Sequence, residues 1–248
     1  WYDNPMASSL NNSKSVSGSS KTSQAASGAS QTSSATKNSG WGIAGSVTVN
    51  YIVDDARAYI KDLASFSTDG DVDVLAFNDT DVNSVSGAVA YSSAQASNAS
   101  RSIAGASGGN LLWGTTEAII DNVNYLSASD LNLDAQHDGV VTAVTAGAGV
   151  ARGRAGIAIA GSVSVNLLDY DVKASIDNVG DGVSGTLDAD VGAVTLSAKD
   201  ASVVVMVAGA GSYGGKVGIG AGIGFSSIKN TVNSTIDSVE SISSNQIN

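Results

Sequence analysis

GIAIAGSVSVNLLDYDVKASIDN, running from Gly156 to Asn178, alternates between two kinds of residue with a period of two. Ile157, Ile159, Val163, Val165 and Leu167 share one parity, and Ala158, Ala160, Ser162 and Ser164 share the other, as in a β-strand with unlike faces. Val172, Ala174 and Ile176 then alternate with Lys173, Ser175 and Asp177, so a second strand is expected after a turn at Asp169-Tyr170-Asp171.

Working outward, the interval from Asn166 to Ile176 recurs as Asn50 to Ile60, Asn110 to Ile120 and, more loosely, Ser226 to Ile236. The copies are 60, 56 and 60 residues apart. A fixed period of this size marks a repeat architecture, in which a unit buries its apolar face against its neighbours. Gly, Asp and Asn clusters divide each unit into roughly four short strands, and no stretch has helical periodicity. With about 20 residues per coil, a unit would make about three coils and advance about 14 Å along the axis. The Val, Ile and Ala faces are expected to fill the interior. The fold class is therefore all-β, a repetitive right-handed β-solenoid, with packed antiparallel hairpins turning at Arg152 to Arg154 and Gly214 to Lys216 as the alternative.

The same phasing divides the chain into units at 41–102, 103–155 and 156–217 and a shortened unit at 218–248. Residues 1–40 contain 13 serines and read either as a linker or as a degenerate half-unit, since Ser15-Val16-Ser17-Gly18 recurs as Ser84-Val85-Ser86-Gly87. A start at Trp1 and a repeat interrupted after Ile236 suggest a piece of a longer protein.

Composition narrows the chemistry. With no Cys and one His, disulfide scaffolds and thiolate metal sites drop out. A net charge of −11, with Lys and Arg totalling 12 and never clustered, argues against holding nucleic acid through its phosphates. No run of 18 apolar residues is present to form a transmembrane helix. An acidic, Cys-free, small-residue β-repeat fits an extracellular or bacterial cell-surface setting.

Few residues suggest a site. Asp69, Asp71 and Asp73 in TDGDVDV could offer carboxylates to calcium. Strand alternation would put Asp71 and Asp73 on one face about 7 Å apart, however, too far to share an ion without loop ligands. They stand as weak calcium candidates beside a solvated acidic face. Gly209-Ala-Gly211-Ser-Tyr-Gly214 matches a dinucleotide fingerprint, but glycines at 218, 220, 222 and 224 replace the required helix. His137, in Gln136-His137-Asp138-Gly139, reads as a turn residue with no carboxylate fixed beside it, and no catalytic residue is assigned.

The composite pattern, VTAVTAGAGVARGRAGIAIAGSVSVNLLDYDVKASIDN and VVVMVAGAGSYGGKVGIGAGIGFSSIKNTVNSTID, resembles the repeats of very large bacterial filamentous adhesins, including leukotoxin-like and autotransporter-type surface proteins. The resemblance runs from Trp41 to the end of the chain. It implies a secreted or surface β-solenoid with a structural or adhesive role and no catalytic residues to carry over. The partners expected are other copies or neighbouring repeats of the same protein, with a host or cell-surface glycan as the alternative ligand.

Overall fold

A computed structural model of the protein describes residues 16–17, 23–27, 39–94, 99–180, 187–239 and 242–247. Its strands are β1 (Val16–Ser17), β2 (Ser23–Ser27), β3 (Ser39–Leu63), β4 (Phe66–Ser67), β5 (Val72–Ser93), β6 (Ala99–Val123), β7 (Leu126–Ser127), β8 (Asp130–Arg152), β9 (Ile157–Val179), β10 (Leu187–Gly214), β11 (Val217–Val239) and β12 (Ile242–Ile247). Two sheets hold nearly all of them. Sheet A runs β1-β5-β8-β10-β12, with β2 also on β5, and sheet B runs β3-β6-β9-β11. A two-stranded sheet of β4 and β7 closes one end.

Every pairing among the described residues is parallel. The chain crosses from sheet B to sheet A and back, adding one long strand to each per circuit. This is a parallel β-solenoid, and the antiparallel hairpins are excluded. The turns around Gly153 and Gly215 are real, but each joins strands of different sheets and stacks on its neighbour, with Gly215 N–H donating to the Ala151 carbonyl at 3.2 Å.

The size of the coil differs from the expectation. One unit is one coil, not three, and it contains two strands of more than 20 residues in place of four short ones. Each coil advances the stack by one strand spacing, about 4.8 Å, while a 23-residue strand extends about 75 Å. The stack is a blade, much wider than it is thick. The Asp169-Tyr170-Asp171 turn is absent: Tyr170 faces inward and the two aspartates face outward within an unbroken β9. Alternation that carries two carboxylates to solvent and a phenol inward satisfies a continuous strand as well as a turn.

Register follows the repeat ruler residue by residue. Asn50 pairs with Asn110, Asn110 with Asn166, and Asn166 with Ser226. The shortened second unit keeps this register along the whole of β6, because its missing residues are lost at the turns. Partners are 60 apart from β3 to β6, 59 apart from β5 to β8, and 56 apart from β6 to β9. A residue with positive φ recurs on one rung of every coil, as Asp62, Asn122, Asn178 and Ser238. Asp and Asn tolerate this left-handed corner, and the rung turns the chain toward β4 and β7. β1 and β2 extend sheet A by pairing in register with β5; Val16 meets Ala76, not the Ser84-Val85-Ser86 run, which instead faces Ala25-Ala26-Ser27. The rest of the serine-rich stretch lies outside the described residues.

The interior is a wedge. At the end closed by β4 and β7, Val74, Ile120, Leu131, Leu133, Val172 and Ile176 form a large aliphatic core. At the other end the core is Ala44, Ala88, Ala90, Ala104, Ala106 and Ala160. The sheets there are so close that a Cβ on Gly147 would lie 2.5 Å from the Gly161 carbonyl oxygen, and one on Gly149 3.0 Å from that of Ile159. From the thin end to Ala174, before the positive-φ rung, inward parity is constant along β9, as an unbulged pleat requires. Leu168, Val172 and Ile176 thereby place Ala158, Ala160, Ser162 and Ser164 inside and turn Ile159 and Val163 to solvent. The expectation that the Val and Ile faces fill the interior is thus corrected for the thin half of the blade. No helix of the described residues is long and apolar enough to cross a membrane.

Candidate functional site

Two features stand out against this frame: a polar band buried at the waist and an apolar face outside sheet B.

The band is built from three columns of inward positions. Asp54, Gly114, Tyr170 and Asn230 stack in sheet B. Facing them in sheet A are Asn78, His137 and Asp200, and beside those Thr80, Gly139 and Ser202. Large side chains on one rung alternate with glycine on another, which gives each ring its room. The Tyr170 ring stacks on His137 with centroids 3.8 Å apart. A Cβ at Gly114 would sit 2.7 Å from Tyr170 Cε1, and one at Gly139 2.9 Å from His137 Cε1.

His137 is therefore not a turn residue but fully buried in β8. An ionised carboxylate only accepts, so His137 Nδ1–H donates to Asp200 Oδ1 at 2.6 Å. Asp200 also accepts from Asn230 Nδ2 at 2.6 Å and from Ser202 Oγ at 3.0 Å. Burial alone would push the Asp200 carboxyl up, but the hydrogen bonds from His137, Asn230 and Ser202 hold it below the usual carboxylate range. The Tyr170 hydroxyl is buried with no partner at hydrogen-bond geometry; burial pushes it up to about 12, against the opposing pull of the nearby Thr80 hydroxyl. In the first coil, Thr80 Oγ1 donates to Asp54 Oδ2 at 3.1 Å and Asn78 Nδ2 to the Asp54 carbonyl at 3.2 Å.

Ser202, His137 and Asp200 contain the residue types of a hydrolytic triad in a different arrangement. Ser202 Oγ lies 3.4 Å from Nδ1, the nitrogen already bound to Asp200, while Nε2 is buried without a partner. The nitrogen nearest the serine is the one already bound to Asp200, and the imidazole is fully buried. The band ties β8, β9, β10 and β11 together through side chains of one specified register.

The calcium candidates are not gathered. Asp71 and Asp73 are exposed on the outward parity of the start of β5, and Asp73 Oδ1 accepts from Asn132 Nδ2 at 3.3 Å. Asp69 lies in the preceding bend, where its carbonyl accepts from Ser129 Oγ at 2.7 Å. No group of three His, Asp or Glu suited to a metal ion occurs among the described residues. Gly209 and Gly211 sit within β10 with open space outside them and no helix following.

Outside sheet B, charge and apolar surface are segregated along the strands. Toward the thick end, ion pairs cross from coil to coil: Arg57 with Glu117 at 3.0 Å and Lys61 with Asp121 at 2.9 Å. Their mutual hydrogen bond raises the Lys61 ammonium and lowers the Asp121 carboxyl. Toward the thin end, the outward rows from Trp41 to Tyr51 and their partners in the next three coils contain no carboxylate, and Arg101 is their one charge. Arg101 lies over Trp41, 5.0 Å from the ring centroid, and Tyr51 packs on Trp113 at 5.2 Å. Ile43, Ile103, Ile159 and Ile219 form an uninterrupted row. Next to it Gly45, Gly105, Gly161 and Ala221 floor a furrow of about 580 Å³. Sequence reading missed this face because it assigned the same residues to the core; the signal that could have found it was the parity that Ala158, Ala160, Ser162 and Ser164, and not the isoleucines, share with Leu168, Val172 and Ile176.

Compared with protein families, curated proteins and solved structures, the chain gives no match.

Proposed function

We propose that this chain is a stalk or filament segment of a secreted bacterial surface adhesin or extracellular fibre, and that it self-associates through β-stacking. The observation that carries this reading is the in-register stacking of successive coils, in which each unit repeats the backbone path and much of the side-chain content of the last. A solenoid of this kind has no natural limit along its axis. Among the described residues, β11, with 23 residues at one side of sheet B, offers an edge of backbone donors and acceptors to a further strand. The buried amide row and the waist band specify the register such a strand would take. The resemblance to filamentous adhesin repeats supports the same role and an extracellular setting.

Negative-stain electron microscopy of the purified chain tests the reading. Rods or fibres that lengthen with concentration are expected. Single blades of constant size at every concentration would sink it.

A further inference from the structure

We infer that the apolar half of sheet B is a pairing surface for a second copy of this chain, joined face to face about a two-fold axis parallel to the stacking axis.

The area is sufficient. Trp41, Ile43, Val47, Ile159, Ile219 and Ile223, on the rows this axis brings together, are between 44% and 71% exposed. With whole-residue areas of roughly 200 Å², within the range of the aromatic side chains, these six alone leave roughly 650 Å² of largely apolar surface in contact with water. That already exceeds the largest apolar patch of a typical monomer, about 300–600 Å², and approaches the roughly 800 Å² per partner of a stable interface.

The shape specifies the partner. Rows of outward residues are two positions apart, or about 6.6 Å along the strand. The isoleucine row, 43, 103, 159 and 219, is a continuous ridge, and the adjoining row, 45, 105, 161 and 221, is the furrow. A two-fold axis midway between the rows lays each copy's ridge in the other's furrow, with the strands of the two copies antiparallel. The neighbouring row, Val47, Ser107, Val163 and Ile223, is broken by a serine and makes the poorer ridge.

Electrostatics agree. With a net charge of −11 two copies repel, but the carboxylates of sheet B lie toward the thick end, and antiparallel pairing through the thin end carries the two acidic halves away from one another. A lipid surface would also cover an apolar face, but it would have no use for a ridge and furrow of matching pitch.

Sedimentation equilibrium of the full chain is the test, with Gly105→Glu as the probe variant and Gly209→Glu as the control. A Cβ at either glycine meets nothing within 4 Å, so both sheets accommodate the change, and circular dichroism verifies the fold. The expected result is a species of twice 24.5 kDa whose dissociation constant rises at least about tenfold with Gly105→Glu and is unchanged with Gly209→Glu. If axial fibres form, pairing appears as double-width fibres that Gly105→Glu splits into single ones. Single-width fibres indifferent to Gly105→Glu would overturn the pairing and leave the stalk reading intact. A monomer that binds phosphatidylcholine vesicles, and loses that binding with Gly105→Glu, would overturn it in favour of a lipid surface. Dimers that never lengthen would uphold the pairing and sink the stalk.

Discussion

Asn110 donates its side-chain Nδ2 to Oδ1 of Asn166 at 2.6 Å, in the middle of a buried amide row that begins at Asn50 and ends at Ser226. Each amide bonds the coil below and the coil above, and a slip of one residue would turn the whole row outward. The row locks register where the surrounding alanines and serines discriminate poorly.

Asn110→Ala should cost about 2–4 kcal/mol, because it leaves Asn50 without an acceptor and Asn166 without a donor in a buried setting. Asn166→Ala should cost less, about 1–2 kcal/mol, since its outer partner Ser226 is exposed and held at 3.3 Å. Urea denaturation of both variants checks the order. Equal losses would mean that the row does not act as a unit.

Gly114 and Gly105 are outwardly alike in sequence and opposite in consequence. A Cβ on Gly114 would overlap the Asp54 carbonyl oxygen and the Tyr170 ring, so Gly114→Ala is expected to lose about 1–3 kcal/mol through forced displacement at the waist. Gly105→Ala meets nothing within 4 Å and should be neutral or stabilise by up to about 1 kcal/mol. Thermal unfolding of the pair decides the point, and a neutral Gly114→Ala would contradict the packing of Tyr170.

Tyr170 makes the stability pH-dependent on the alkaline side. Its folded-state value of about 12 lies above the ordinary phenol value near 10, so the neutral phenol is the form the fold holds. The contribution is complete below about pH 10 and is lost as pH rises toward 12, by up to about 2–3 kcal/mol. Tyr170→Phe should abolish that component of the slope, and should be neutral or mildly stabilising at pH 7 because the buried hydroxyl has no partner at hydrogen-bond geometry. Urea midpoints at pH 8 and pH 11 for both proteins give the answer; an unchanged slope in the variant would remove Tyr170 from the account.

Much of the fold was legible because a solenoid writes its register into sequence. Recurrence of Asn50, Asn110 and Asn166 with Ile60, Ile120 and Ile176 predicted the pairing across β3, β6 and β9. Val194, Leu196 and Ala198 likewise fell opposite Leu131, Leu133 and Ala135. The turn readings at Asp169 to Asp171 and His137 to Gly139 failed for one reason. A polar cluster reads as a break when its neighbours along the chain are considered, yet its partners here are on adjacent coils. Gly139 makes room for the His137 ring, and Asp200, 63 residues away, takes its proton donor. The waist band was illegible because its members come from four coils and each alone looks like loop composition.

The sequence by itself determined that the chain is all-β, that it repeats, and which residue of one unit lies beside which of the next, because parallel in-register stacking brings like positions together. Which parity faces inward in the thin half was a tertiary decision. In the thin half of sheet B, from Trp41 to Tyr51 and their partners, both parities are free of charge apart from Arg101, and hydrophobicity alone would bury the isoleucines. The sheets converge until a Cβ on Gly147 or Gly149 would crowd a carbonyl oxygen of the facing sheet, and small residues, alanine, serine, threonine and glycine, fill the space between them. The larger residues are therefore outside, where they form the apolar face of sheet B.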